Sequence, residues 1–176
     1  MGDAKPIIRF HVELRTDASP DAVYAVLSDP NTHLVWAGKQ APREDFRLLT
    51  VDAQAGSASV GSTFSSSGAN GKKGDKTSHD RSTVVQADPG RRFGFDTDAA
   101  MDRKHKDAWR AHFEHRYTIE PAGTRSTIIY DCAVYPENYR PYWLFPTMRP
   151  VVRALVHITH RKHMENLARL AQNARV

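Results

Sequence analysis

The chain has 176 residues, 40% of them hydrophobic and 26% charged, with a formal net charge of +5. This length is typical of one globular domain, so residues 1–176 are predicted to form a single domain. A domain of this size buries enough surface to fold without a disulfide or a metal ion. The single cysteine, Cys132, excludes an internal disulfide and a cysteine-rich zinc site. No apolar run approaches the roughly 18 residues of a membrane-spanning helix, and the first six residues lack the pattern of a secretory signal. We therefore expect a cytoplasmic location without stable membrane insertion.

The excess of lysine and arginine raises the question of nucleic acid binding. The basic residues are concentrated at 71–76, at 102–107 and in the C-terminal segment, and acidic residues lie among them. No helix-turn-helix or aromatic RNA-binding motif accompanies them, so the pattern indicates solvated charge, at hairpin tips in the first two stretches, rather than a nucleic acid interface. Binding of a protein partner through these basic loops stays open as an alternative function.

The chain begins with signals for one strand and two short helices. Residues 8–15 alternate between apolar and polar, which predicts a strand with one buried face. Ser19, followed by a proline and an aspartate, is typical of a helix N-cap and predicts a helix over 20–28. Asp29, also followed by proline, predicts a second short helix that carries Trp36.

Short apolar runs separated by turn residues follow, which predicts an antiparallel meander. The predicted strands cover residues 46–51, 60–66, 83–87, 92–97, 109–120 and 126–135. Between the third and fourth of these lies Asp-Pro-Gly-Arg, and Gly90 fits the position of positive φ in a type II turn.

The turn at 121–124 fixes which residues of the last two strands share a face. An even number of loop residues pairs odd positions of the first strand with even positions of the second. This parity joins apolar residues to apolar residues, whereas an odd loop sets Tyr130 against a charged row. The predicted shared face contains Phe113, His115, Tyr117, Ile128, Tyr130, Cys132 and Val134.

The C-terminal segment has helical spacing over residues 147–173. The predicted buried stripe contains Met148, Val152, Leu155, Val156, Thr159, His163, Leu167 and Leu170. The preceding segment, 135–145, is rich in aromatic residues and interrupted by prolines, which disfavour a regular element. It is predicted either to cover a cavity as a lid or to protect a sheet edge.

The element order, together with residues 19–30 (SPDAVYAVLSDP) and Trp36, resembles the SRPBCC superfamily, which includes START-like domains and polyketide cyclase/dehydrase proteins. The resemblance implies an α+β helix-grip fold. In that fold a curved antiparallel sheet of six or seven strands wraps around a long C-terminal helix, with two short helices after the first strand. It also implies a cavity between sheet and helix that takes a hydrophobic small molecule such as a lipid, a sterol or a polyketide-like compound.

If the sheet wraps the helix, the inward rows line this cavity. The predicted ligand-binding residues are Phe64, Phe93, Phe95, Trp109, Phe113, His115, Tyr117, Tyr130, Met148, Val152, Thr159 and His163. Such pockets are mostly apolar, with a few polar groups that fix orientation. The alternative is a filled core, in which the aromatic rings only pack against one another and the two histidines are structural.

A cyclase or dehydratase needs an acid/base pair in the cavity. The candidates are His115 with Tyr130, or His163 with Tyr117, and this enzyme class is the second functional hypothesis. Residues 157, 160 and 163 are histidines that together spread over roughly 120° around the helix, so they do not converge on one metal ion. A Cys132 nucleophile needs a histidine beside it and a depressed pKa, and a small buried side chain is the simpler interpretation. No cofactor is expected, and the chain is predicted to be a monomer or a homodimer.

Overall fold

The structure is a computed structural model that describes residues 5–38, 46–70, 76–103, 106–138 and 146–174. The strands are β1 (Ile8–Thr16), β2 (Phe46–Asp52), β3 (Thr63–Asn70), β4 (Lys76–Asp88), β5 (Arg92–Arg103), β6 (Lys106–Ala122) and β7 (Arg125–Pro136). The helices are α1 (Pro20–Ser28), a 3₁₀ turn (Pro30–Thr32), α2 (His33–Trp36) and α3 (Arg149–Asn173).

The described strands form one antiparallel sheet in the order β1-β7-β6-β5-β4-β3-β2. The face of this curved sheet that packs on the helices is called the inner face here. Helix α3 packs against β1, α1 and α2. The predicted helix-grip architecture is therefore confirmed, with seven strands.

The two helix caps form as predicted. The Ser19 side chain accepts a hydrogen bond from the Ala22 N–H at 3.3 Å. The Asp29 carboxylate accepts one from the Asn31 N–H at 3.0 Å, and the second short helix divides there into the 3₁₀ turn and α2. Each cap satisfies a backbone donor that the helix itself leaves unpaired.

The meander differs from prediction mainly in strand length. Strand β4 extends through Lys76–Asp88, whereas only 83–87 was expected, because its inner face carries serines that hide the apolar alternation. Strand β3 begins at Thr63 and not at residue 60, since Gly61 adopts φ +89° and Val60 is 62% exposed in the turn before it. The turn at Gly90 has the predicted positive φ, +70°, and the Arg91 N–H donates to the Asp88 carbonyl at 3.0 Å.

The predicted parity of the last hairpin is confirmed. Tyr117 lies opposite Tyr130, His115 opposite Cys132, and the strands close through a two-residue turn in which Gly123 has φ +67°. This register brings the apolar rows of both strands to the inner face.

The buried stripe of α3 is only partly the predicted one. Val152, His163 and Leu167 are buried, but Leu155 is 60% exposed, so its prediction is wrong. The helix is rotated about its axis, so that a different face points to the sheet. His160 lies inward, and Met164, Ala168 and Ala171 are buried, since the small alanine side chains allow the helix to pack closely.

The predicted loop over 135–145 begins later than expected, because β7 continues to Pro136. Residues 139–145 of this segment lie outside the described residues.

Candidate functional site

The predicted site residues divide into two groups by exposure. Eight are buried: Phe64, Phe93, Phe95, Trp109, Tyr117, Tyr130, Val152 and His163. Four are half-buried: Phe113, His115, Met148 and Thr159. The aromatic residues of the sheet in both groups lie on its inner face, as their strand registers require.

Phe95 is the centre of an aromatic cluster on the inner face. Its ring centroid lies 4.6 to 6.4 Å from those of His33, Phe64, Phe93, His115 and Tyr117. These separations are typical of packed aromatic pairs. This part of the interior is filled by protein, in agreement with the filled-core alternative for these rings.

His115 and Tyr130, one of the two predicted acid/base pairs, are in direct contact. The Tyr130 hydroxyl and His115 Nδ1 are 2.9 Å apart, and the thiol of Cys132 donates to the Ala133 carbonyl oxygen at 4.0 Å. An imidazole nitrogen is a strong acceptor, so the Tyr130 O–H donates to Nδ1. His115 Nε2 then carries the proton, and it is the donor that the pair offers to other groups.

The second predicted pair is placed differently. His163 lies against His160, with ring centroids 5.7 Å apart and the rings nearly perpendicular. Tyr117 lies against Tyr130 at 4.7 Å and against Trp36 at 6.4 Å. An acid/base role of His163 with Tyr117 stays a prediction.

Two histidines that the sequence analysis did not place in the site also lie in the interior. The imidazole of His160 on α3 lies 5.0 Å from the ring of Tyr130. His33 on α2 is 5% exposed, and its Nε2 lies 3.4 Å from the Leu27 carbonyl oxygen. The signal for His33 is its position three residues before Trp36, on the same face of a short helix.

Three interior histidines and Tyr130 are held in their neutral forms. Desolvation lowers the pKa of His33 to about 4, and lowers the pKa values of His115 and His160 to about 3. For His115 the neighbouring His160 adds to this effect. Burial raises the pKa of Tyr130 well above its ordinary value. At neutral pH the His115–Tyr130 pair is therefore an uncharged donor and acceptor.

The same desolvation decides the role of Cys132. The pKa of its thiol is raised to about 12, since burial penalises the thiolate. A thiol in this state is a poor nucleophile even with His115 opposite it in the register. Within the described ranges, no group of three or more histidine, cysteine or acidic side chains is arranged to hold a metal ion.

Removal of the Tyr130 hydroxyl tests how much the hydrogen bond between Tyr130 and His115 stabilises the folded protein. The Tyr130→Phe variant should lose about 1–3 kcal/mol of unfolding free energy, because His115 Nδ1 keeps its desolvation but loses its donor. Urea unfolding measures this change. The matched control is Tyr24→Phe, since Tyr24 is only half-buried. A variant as stable as the wild type would show that the hydrogen bond does not stabilise the folded state.

Two surface concavities lie away from this pair. One, of about 500 Å³, is lined by residues at the β1 and β7 end of the sheet, including Arg15, Arg125 and Gln172. The other, of about 470 Å³, lies beside β3 and includes Phe64 as its only predicted site residue. Neither contains the His115–Tyr130 pair, and the neutral interior is the better candidate site because its polar groups are desolvated and in contact.

In the described part of the chain, every helix is too short or too polar to cross a membrane.

A seven-stranded antiparallel sheet packed on a long C-terminal helix, with an apolar interior that holds a few neutral polar groups, defines a protein of the helix-grip class. The family described as polyketide cyclase/dehydrase and lipid transport matches residues 8–172. The chain belongs to this family.

Solved structures share the fold at low sequence identity. Protein CV1439 from Chromobacterium violaceum is 14% identical, with a TM-score of 0.62 over 93% of this chain and 96% of that chain. A protein from Rhizobium leguminosarum is 12% identical, with a TM-score of 0.63 over 94% and 95%. DynU16, a protein in the dynemicin biosynthetic locus, is 15% identical, with a TM-score of 0.53 over 93% of this chain and 47% of that chain. No curated protein has a matching sequence.

Proposed function

We propose that the protein binds a hydrophobic small molecule, such as a lipid, a sterol or a polyketide-like compound, between the inner face of the sheet and α3. One observation carries this proposal. Phe113, His115, Thr159 and His160 are half-buried side chains of the sheet and the helix, and they keep some accessible surface. Two of them are nevertheless so desolvated that their pKa values are lowered to about 3. Side chains that are both crowded and accessible are expected to line a recess; these four are called the recess residues below.

The chemistry of the recess residues fits such a ligand. Aromatic rings and the aliphatic part of Thr159 present apolar surface, and the neutral His115–Tyr130 pair presents a donor that can orient a ligand oxygen. The family includes lipid transport, and DynU16, which shares the fold, comes from a biosynthetic locus. Both agree with an apolar ligand of moderate size.

Native mass spectrometry of the purified protein tests the proposal directly. The expected result is a stoichiometric bound molecule, which organic extraction then releases for identification. A protein that carries no molecule and also fails to bind Nile red, an apolar fluorescent probe, would contradict the proposal and favour the filled-core alternative.

A bulky side chain at Thr159 should block the recess. We expect Thr159→Trp to weaken Nile red binding at least about tenfold, because an indole takes up space that the probe needs. Ile158→Trp is the matched control, since Ile158 is the preceding residue of α3 but is 54% exposed. Fluorescence titration measures both affinities, and circular dichroism verifies the fold. Equal weakening by the two variants would place the probe on the outer surface of the helix.

The second candidate function is a cyclase or dehydratase that uses the His115–Tyr130 pair. The 2.9 Å hydrogen bond between these residues favours it. The lowered pKa of His115, about 3, opposes it, because so weak a base accepts a substrate proton slowly at neutral pH. Incubation of the extracted molecule with fresh protein separates the two functions. Loss of one water, abolished in His115→Ala, indicates catalysis, whereas an unchanged molecule indicates binding.

The cellular setting is part of the same proposal. A free, buried Cys132 agrees with a reducing cytoplasm, and cell fractionation tests this location. We propose a monomer or homodimer that does not bind nucleic acid; light scattering and a mobility-shift assay with duplex DNA or RNA test these two points. A partner-binding role of the basic loops predicts an association that salt weakens.

A further inference from the structure

A row of small side chains crosses the inner face beside the aromatic cluster. Ser66 of β3 lies opposite Asp80 of β4, which lies opposite Ala99 of β5, which in turn lies opposite Ala111 of β6. These four residues are called the small-residue row. The next row along the strands contains Phe64, Ser82, Thr97 and Phe113. Since Phe64 belongs to the core, this alternation places the small-residue row on the inner face as well.

The small-residue row lies beside larger side chains on β3, β5 and β6, whereas on β4 its neighbours are Ser78 and Ser82. Phe64 and Phe113 lie on one side of it, and Met101 and Trp109 on the other. Serine, aspartate and alanine project less far from the sheet than aromatic rings do. The inner face is therefore lower at Ala99 and Ala111, next to Asp80, and Ser66, Asp80 and Ala99 keep some accessible surface.

Asp80 is the ionisable group of this row. The Ser66 hydroxyl donates a hydrogen bond to its carboxylate, and desolvation raises the pKa of Asp80 to about 6. Within the described ranges, no lysine or arginine forms an ion pair with it. A carboxylate of this kind accepts a further hydrogen bond readily, because a single serine does not satisfy its two oxygens.

Ser78 provides an independent second observation. It precedes Asp80 by two residues on the same face of β4 and is 3% exposed. Its Oγ has no hydrogen-bond partner among the residues that the structure describes. The neighbouring Ser82 hydroxyl, in contrast, is bonded to Thr97 at 2.8 Å. Buried hydroxyl groups almost always have a partner, so a partner from outside the described residues, such as a ligand hydroxyl, is expected at Ser78.

We propose that Asp80, with Ser78 beside it, is the anchor for a hydroxyl group of the bound ligand. The inference rests on the proposed function. The ligand hydroxyl donates to the Asp80 carboxylate, the apolar body lies over Ala99 and Ala111, and Phe113 contacts its edge. The class of ligand is an apolar, ring-containing molecule that bears an alcohol, enol or phenol at one end. A cationic amine fits less well, because burial of an ion pair carries a large desolvation penalty.

A pair of probes that differ in one group tests the anchor. 2-Naphthol carries a hydroxyl where 2-methylnaphthalene carries a methyl group, and their sizes are similar. We expect the wild-type protein to bind 2-naphthol more tightly. The Asp80→Asn variant should weaken 2-naphthol binding about tenfold or more, as loss of a hydrogen bond to a charged acceptor does. Its affinity for 2-methylnaphthalene should be unchanged. Ligand-observed NMR measures both affinities.

Two further variants control for structural effects. Asp98→Asn removes a carboxylate from the outer face of β5, where Asp98 contacts His112, and should leave both probes unaffected. Ser78→Ala should lower 2-naphthol affinity without lowering the melting temperature, because it removes a buried hydroxyl that has no partner in the described structure. A purely structural serine would not give this combination.

The outcomes distinguish a wrong anchor from the absence of ligand binding. Binding of both probes with equal affinity, unchanged in Asp80→Asn, would overturn the anchor and leave the proposed function intact. If the wild-type protein bound neither probe, the proposed function would fail and the anchor with it.

Discussion

Replacement of Phe95 by alanine is expected to lower the free energy of unfolding by about 3–5 kcal/mol. Phe95 is 7% exposed, and its ring contacts five other rings from three strands and α2. Truncation removes the apolar transfer energy of the ring and leaves a cavity, because neighbours held by strand pairing collapse only partly. Urea unfolding monitored by tryptophan fluorescence measures the loss.

The same substitution has a consequence for binding. The space vacated by Phe95 lies against His115, so it should enlarge the recess and allow a small apolar molecule such as indole to bind and partly restore stability. Leu155→Ala is the control, since Leu155 is 60% exposed on α3 and should change stability by less than about 0.5 kcal/mol. A Phe95→Ala protein as stable as this control would contradict the central position given to Phe95.

The parts of the fold that were predictable depend on local chemistry. The Ser19 and Asp29 caps, the glycine turn at residue 90 and the parity of the last hairpin each follow from a few adjacent residues. Parity was predictable because one register joins apolar rows and the other joins an apolar row to a charged one. The contact of His115 with Tyr130 follows from this parity. His115 lies opposite Cys132, Tyr117 lies opposite Tyr130, and the two neighbouring pairs share one face of the sheet.

The parts that were missed depend on tertiary placement. Helical periodicity gives an amphipathic stripe only where the polar and apolar residues separate clearly, and α3 mixes histidines with exposed apolar residues such as Leu155 and Ile158. The rotation that points His160 at Tyr130 depends on how α3 packs on β1. Similarly, serines on the inner face of β4 are buried only because the sheet curves around the helix, so no local pattern marks Ser78 or Asp80.

These missed residues change the character of the site. The predicted site, aromatic rings with the His115–Tyr130 pair as a hydrogen-bond donor, distinguishes ligands mainly by size and shape. The proposed anchor adds a carboxylate, that of Asp80, at a separate position. A ligand that satisfies both must carry oxygen atoms at separated positions on an apolar frame, which is a narrower class than hydrophobic molecules in general.

Acidification is expected to destabilise the protein strongly. In the folded state the pKa of His33 is lowered to about 4, and the pKa values of His115 and His160 to about 3. The unfolded chain binds protons at these histidines near pH 6.5, the ordinary value for the side chain. Between about pH 4 and 6.5 the unfolded state therefore holds more protons, and the free energy of unfolding falls as the pH falls through this window.

Asp80 acts in the opposite direction. Its folded-state pKa is raised to about 6, above the ordinary value of a carboxyl group, so the folded state binds this proton first. Protonation of Asp80 stabilises the fold by about 1–2 kcal/mol between pH 7 and 5, whereas each of the three histidines destabilises it by about 2 kcal/mol. The net loss over this range is about 4 kcal/mol, a large share of the stability of a typical domain.

Urea unfolding at pH 7 and at pH 5 measures this loss, and NMR of the imidazole carbons identifies its origin. The signals of His33, His115 and His160 should not shift between these two pH values, because all three stay neutral in the folded protein. In His160→Phe, which keeps a ring against Tyr130, the loss should be smaller by about 2 kcal/mol. Titration of these three imidazoles near pH 6.5 would show that water reaches them freely, and the desolvated recess on which ligand binding is proposed would then not exist.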